Sequence, residues 1–167
     1  GFLPEDFRFH DWLHGDEFLD LHGKLHNVPK DERARRIPEL LDLVGLREAA
    51  NRPLSTYSKG MLQRIGLAQA LVNDPALVFL DEPTSGLDPL GRRMVRDVMR
   101  RLRERGTTVF LNSHLLGEVE LTCTRVAFVA EGRVRLVTDP RAYHDGLLQV
   151  DLSVGQIDDG LVKELAR

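Results

Sequence analysis

The sequence has one cysteine, one tryptophan and no long apolar run. A single thiol, Cys123, excludes an internal disulfide and fits a reducing compartment. No stretch reaches the ~20 consecutive apolar residues of a membrane-spanning helix. No secretory leader pattern stands at the start. A role in transport would therefore need other chains or segments to cross the bilayer. Neither sign of charge dominates: 23 Lys and Arg stand against 26 Asp and Glu, and the net charge of −3 makes no electrostatic case for nucleic acid. Internal repeats and low-complexity segments are absent. So is G-x-x-x-x-G-K-[ST], the loop whose backbone N–H groups cradle phosphates. What is present, 167 residues with 42% hydrophobic and 29% charged content, suits one soluble globular domain with its own core.

The stretch from Tyr57 to Asp88 organises the rest. Within it, Ala76 to Asp81 is an apolar run of strand length, expected to be buried on both faces as in a parallel sheet. It ends in Asp81 and Glu82, and Pro83 stops a central strand there. Open α/β sheets bind ligands at this carboxyl edge. One acid at such an edge can hold Mg²⁺, and a second can orient or deprotonate an attacking water. The plain alternative is a strand end with two solvated acids. Upstream, Ser58 and Gly60 stand at the amino end of a helical stretch reaching about Asn73, where free N–H groups and the positive dipole end favour an anion. Gly60 lets backbone approach a phosphate closely. Downstream, Asp88-Pro89 reads as a helix start, with Asp88 as N-cap. A second buried strand, Thr107 to Leu111, puts Asn112, Ser113 and His114 at its carboxyl end.

This order of elements resembles the ATP-binding cassette (ABC) family, the nucleotide-binding domains that drive ABC transporters, over Gly1 to about Gly146. In that likeness Tyr57 to Met61 is the signature, a variant of LSGGQ that keeps Ser58 and Gly60 and departs at Tyr57, Lys59 and Met61. Leu77 to Asp81 is the Walker B strand, with Asp81 on Mg²⁺. Glu82 is the catalytic glutamate, Ser85 to Asp88 the D-loop and His114 the switch histidine. Ser58, Lys59, Gly60 and Asp88 would meet ATP across a head-to-tail dimer, Lys59 as an added charge on phosphate. Gly1 to Asp6 resembles the Q-loop, with Glu5 at the usual glutamine position as a further Mg²⁺ contact. The resemblance implies a P-loop NTPase-like α/β fold, a mostly parallel sheet flanked by helices. The division expected is 1–6 as Q-loop remnant, 7–73 as helical subdomain, 74–146 as α/β core and 147–167 as extension. The Walker A region and the first strands are missing, so the expectation is a chain holding the back two-thirds of a domain.

The remaining segments are read from pattern. Asp11 to His26 and Asp31 to Leu46 predict amphipathic helices, with Pro38 either kinking the second or marking its true start. The pairs His10/His14 and His22/His26 have metal-ligand spacing, but without Cys or H-E-x-x-H they read as solvated histidines. Phe7, Phe9 and Trp12 read as packing residues. Leu54-Ser55 reads as an extended lead-in. Seven arginines between Arg92 and Arg105 read as a solvated face mixed with Asp97 and Glu104. Ser113-His114 is no hydrolase pair, because adjacent strand residues point oppositely. Leu115 to Leu121 predicts a short helix, and a hairpin about Glu131-Gly132 follows. A last short helix is expected over Pro140 to Asp145, then a strand from Leu147 and a helix from Asp159.

The resemblance implies an ATP-hydrolysing subunit, similar to those of ABC-2-type exporters. It would pair with a transmembrane permease, dimerise with a like domain and sit at the cytoplasmic face of the membrane. Two other readings stay open. One is a non-catalytic module offering its signature to a partner. The other is a soluble ABC ATPase unconnected with transport.

Overall fold

The computed structural model describes residues 1–6 and 9–140. The chain forms two compact units, Gly1–Thr124 and a second beginning at Arg125.

A three-stranded parallel sheet anchors the first unit, in the order β1 (Phe2–Leu3), β2 (Leu77–Asp81), β3 (Thr108–Asn112). Leu3, Val78 and Leu80 are buried in one core with Ile65, Leu67, Ala68, Val95 and Val98. The other face differs from expectation. Leu77 and Phe79 are 42% and 43% exposed, with Phe2 and Phe110 beside them in register. Alternation governs here: the helices of this unit cover one side of β2, and the odd-numbered residues point to the other.

Helices α1 (Gly15–Leu25), α2 (Lys30–Leu43) and α3 (Lys59–Ala70) pack on one another. Helix α1 begins at Gly15 rather than Asp11. The carbonyls of Asp11 and Leu13 accept instead from the N–H groups of Ser55 and Leu54, both at 2.9 Å. Glu17 then closes the helix start by accepting from the His14 N–H at 3.0 Å. Helix α2 starts at Lys30, so Pro38 lies in its interior. It stops two residues before Gly45 rather than running to Leu46. Gly45 has φ +63°, and Leu46 N–H reaches the Leu41 carbonyl at 2.8 Å, a Schellman ending.

Two arginines lock α2 to α3. Arg36 donates to the carbonyls of Leu71 (2.8 Å) and Val72 (3.0 Å), just past the end of α3. Arg64 donates to those of Val44 and Gly45, both at 3.3 Å, just past the end of α2. Each helix thereby satisfies the orphan carbonyls of the other, with a cation at the negative dipole end. Arg33 binds α1 to α2 through Asp20 (2.7 Å) and the Val28 carbonyl (2.6 Å).

Several local expectations change. Leu54–Thr56 is a one-turn 3₁₀ segment, not extended, because Tyr57 N–H bonds back to the Leu54 carbonyl. His22 is not a solvated residue: it packs edge-on against Phe18, centroids 4.6 Å apart. Burial, then the nearby His26 and His10, hold its pKa below the ordinary value. Phe9 packs on Phe18 as expected, but Trp12 is 73% exposed beside His10. Phe7 lies outside the described residues.

Beyond β2, α4 (Pro89–Glu104) turns Val95, Val98 and Met99 inward. Its arginines are mostly exposed, though Arg96 bonds both carboxylate oxygens of Glu118 on α5 (Leu116–Thr122) at 2.7 and 2.8 Å. The second unit contains a hairpin of β4 (Val126–Ala130) and β5 (Arg133–Thr138). Its turn at Glu131-Gly132 has φ +52° and +71°, the pair of positive values a type I′ turn demands. The helix expected to end at Asp145 and the two elements after it lie outside the described residues.

Two expected outcomes test this packing. The buried Tyr57 hydroxyl donates to the Ala49 carbonyl at 2.7 Å, and a Cβ at Gly15 would come within 2.4 Å of it. Gly15→Ala and Tyr57→Phe should each cost about 1–3 kcal/mol in urea unfolding. The double variant should cost less than their sum, because removing the hydroxyl relieves the clash.

The second concerns acid. Hydrogen bonds from Lys24, then Arg33, hold the Asp20 carboxyl below its ordinary 3.8. A depressed folded value stabilises fully above the unfolded value and is lost as pH falls through the folded one. Unfolding measured across a pH series should therefore show a shallower loss below about pH 4 in Asp20→Asn than in the parent chain.

Candidate functional site

Parallel strands bring their carboxyl ends to one edge, which gathers residues far apart in sequence. Asp81 and Asn112 are register partners, and the Asn112 amide donates to Asp81 Oδ1 at 2.6 Å. The ladder runs one residue further, with Glu82 N–H on the Asn112 carbonyl at 2.9 Å. There the chain leaves the sheet sharply, because Glu82 has φ +47°. A non-glycine residue held in this region costs roughly 1–3 kcal/mol unless its surroundings fix it. The Glu82 carbonyl accepts from Ser85 N–H at 3.0 Å and from the Gln63 amide at 3.2 Å.

This turn rolls the Glu82 side chain inward to 7% exposure. Oε1 accepts from the His114 N–H at 2.8 Å and lies 2.8 Å from His114 Nδ1. With the carboxylate ionised, Nδ1 carries the proton, and Nε2 is the ring nitrogen left over. The His114 side chain is 71% exposed. Oε2 of Glu82 is buried and meets no protein donor among the described residues. A buried carboxylate oxygen normally finds a partner, so this atom is fitted for a donor that the protein does not itself supply. Ser113 is spent elsewhere, its hydroxyl accepting from Leu115 N–H at 3.2 Å.

A second group lies at the amino end of α3. Ser58 caps it, its hydroxyl accepting from Met61 N–H at 3.2 Å. A Cβ on Gly60 would come 3.3 Å from Leu87, so the helix end and the 85–88 loop are in close approach. Lys59 lies over Gly86, where a Cβ would come 2.9 Å from its Cε. Asp88 caps α4 through the Gly91 N–H at 2.7 Å. Glu5 follows β1 at the same sheet edge and is exposed. No hydrogen bond or ion pair joins it to Asp81 or Glu82 among the described residues.

The structure therefore brings Asp81, Glu82 and His114 into one group, and Ser58, Lys59 and Gly60 into a second one beside the loop. Sequence reasoning missed Asn112, which holds Asp81, and Gln63, which reaches Glu82 from α3. Gln63 carried a signal, since it shares a helical face with Leu67 and Ala70, both buried. Among the described residues no group of three or more His, Cys, Asp or Glu side chains is arranged to hold a metal ion by itself. Mg²⁺ commonly takes one or two carboxylates, with phosphate oxygens and water completing its shell. Asp81 at the edge fits that mode.

Comparison with known proteins agrees. A family model described as ABC transporter matches residues 1–85. An ABC transporter ATP-binding protein of Synechocystis sp. is 54% identical over 136 residues, 80% of this chain and 38% of that protein. The fluoroquinolones export ATP-binding protein of Mycobacterium tuberculosis is 46% identical over 102 residues, 61% of this chain and 34% of that protein. A solved structure of the ATP binding subunit of an ABC transporter superposes with a TM-score of 0.78 at 27% identity, covering 99% of this chain and 68% of that one. The chain spans about two fifths of the length of the curated relatives it matches. With the matched model covering the first strand, the signature helix and the Glu82 turn, the chain belongs to the ABC transporter family, as part of its ATP-binding domain.

Proposed function

We propose that in the complete protein this chain carries the water-activating half of an ATPase site that powers a transporter. The observation that carries the reading is Glu82: buried, tied to His114 through one oxygen, and left with a second oxygen that no donor among the described residues meets. In this reading Oε2 takes the hydrogen of a water aligned on the γ-phosphate of ATP and accepts its proton as the phosphoryl group departs. His114 holds Oε1 so that Oε2 faces the water, and its exposed ring, when both nitrogens carry protons, donates from Nε2 to a phosphate oxygen. Asp81, oriented by Asn112, and Glu5 would hold Mg²⁺, which neutralises phosphate charge when bound. A module that only offered its helix end to a partner would not require this buried pair.

Ser58, Lys59 and Gly60 would receive phosphate at the amino end of α3, with Asp88 beside them. In a dimer of such domains, this end faces the nucleotide of the other subunit. The mycobacterial relative is named for fluoroquinolone export, which supports an exporter and so a permease partner in the membrane. Among the described residues no helix is long and apolar enough to cross a membrane. The subunit would then lie at the cytoplasmic face beside its permease. In this proposal residues 1–6 link to a helical subdomain that reaches residue 73, and the α/β core follows from residue 74.

In the complete protein, Glu82→Gln should keep ATP binding and lower turnover by about 10²-fold or more. Near-normal hydrolysis in that variant would overturn the assignment. Lys59→Gly should reduce ATP affinity or turnover several-fold in the same assays, roughly the effect of one charge-assisted hydrogen bond. If neither changes, Lys59 serves only to pack on Gly86.

A further inference from the structure

We propose that Gln63 is a positioning residue for Glu82, its buried amide fixing the left-handed backbone from which the carboxylate projects. The inference rests on the reading of Glu82 given above.

Gln63 lies in the second turn of α3 and is 6% exposed. Its neighbours along that face, Leu67 and Ala70, are apolar and buried. A primary amide in such a place is retained only where it is hydrogen-bonded, and a leucine or methionine would fill the same volume. The bond it makes leaves the helix altogether and ends on the Glu82 carbonyl at 3.2 Å.

That carbonyl has one other donor, Ser85 N–H at 3.0 Å, which belongs to the same turn and moves with it. Gln63 is therefore the donor that ties the turn to a separate element. On its other side the Glu82 peptide is held by β3, through the Asn112 carbonyl. With φ at +47°, relaxation of Glu82 toward ordinary backbone would swing its side chain away from His114. The Asn112 bond alone leaves the carbonyl free to rotate. The amide of Gln63 opposes that rotation.

The arrangement also makes a mechanical link. Gln63 and Ser58 belong to one rigid helix end, about 1.5 Å of rise per residue apart along its axis. Together with the Gly60–Leu87 and Lys59–Gly86 contacts, Gln63 connects this helix end to the turn that carries Glu82.

The test uses the complete ATPase, with steady-state ATP hydrolysis, direct ATP titration and thermal melting. Gln63→Met keeps length and burial and removes the donor. It should lower kcat about tenfold, the size of one lost hydrogen bond, while KM and ATP affinity stay within about twofold. In a Glu82→Gln background the same substitution should lower the residual rate by less than about twofold, because the group it positions is already gone. Gln63→Leu also fills the site without the amide donor and is read the same way should Gln63→Met fail to fold. Wild-type kcat in either folded variant, with Glu82→Gln inactive, overturns the role of Gln63 and leaves that of Glu82 intact. A parallel fall in kcat, ATP affinity and melting temperature also overturns it, in favour of a structural role. An active Glu82→Gln removes the parent reading itself.

Discussion

The functional edge of this molecule depends on the backbone of one residue, Glu82. A glutamate at φ +47° persists only because neighbours hold both of its backbone polar groups. Its N–H continues the β2–β3 ladder onto Asn112, and its carbonyl is shared by Ser85 and Gln63. From that anchored unit the side chain turns inward and meets the backbone and ring of His114. Ordinary extended backbone at this position would place Glu82 on the face opposite Asp81 and leave the carboxylate without His114. The same residue that closes the strand therefore aims the carboxylate.

The helical block supplies the rigidity that such an anchor needs. Arg36 and Arg64 each cross to the carboxyl end of the other helix, satisfying carbonyls that would otherwise face solvent or remain unpaired. Arg33 and Asp20 fasten α1 to α2, under Gly23, where an added Cβ would come 2.4 Å from Arg33 Cδ. Arg36 thus holds the carboxyl end of α3, and Arg64 ties its body to the end of α2. The close approach of its amino end to Leu87 and Gly86 completes the contact with the loop that leaves Glu82.

Much of this was legible in the sequence, for local reasons. Pro83 forced the strand to end at Asp81-Glu82, Asp88-Pro89 specified a capped helix, and Glu131-Gly132 specified its turn. What escaped was decided by partners distant in sequence. The start of α1 was set by Leu54 and Ser55, more than 40 residues on, which claimed the backbone that helical periodicity had assigned to the helix. An apolar strand looks the same whether one or both faces are covered, so the exposure of Leu77 and Phe79 could not be read. No spacing in the sequence showed that Lys59 would lie across Gly86. Gln63 was passed over as a polar side chain, although Leu67 and Ala70 on the same helical face marked that face as buried.

The order of strands in the sheet also fixes how the chain must assemble. Strand β2 lies between β1 and β3, yet Gly1 and Leu77, which meet at its start, are 76 residues apart. The helical block between them consists of near neighbours and can gather early. Pairing β1 with β2 must close a long loop, an entropic cost that delays such contacts. On a ribosome, β2 is made only after α1, α2 and α3, and β3 later still. The edge that holds Glu82 against His114 is therefore completed late, after the surfaces that steady it are already formed.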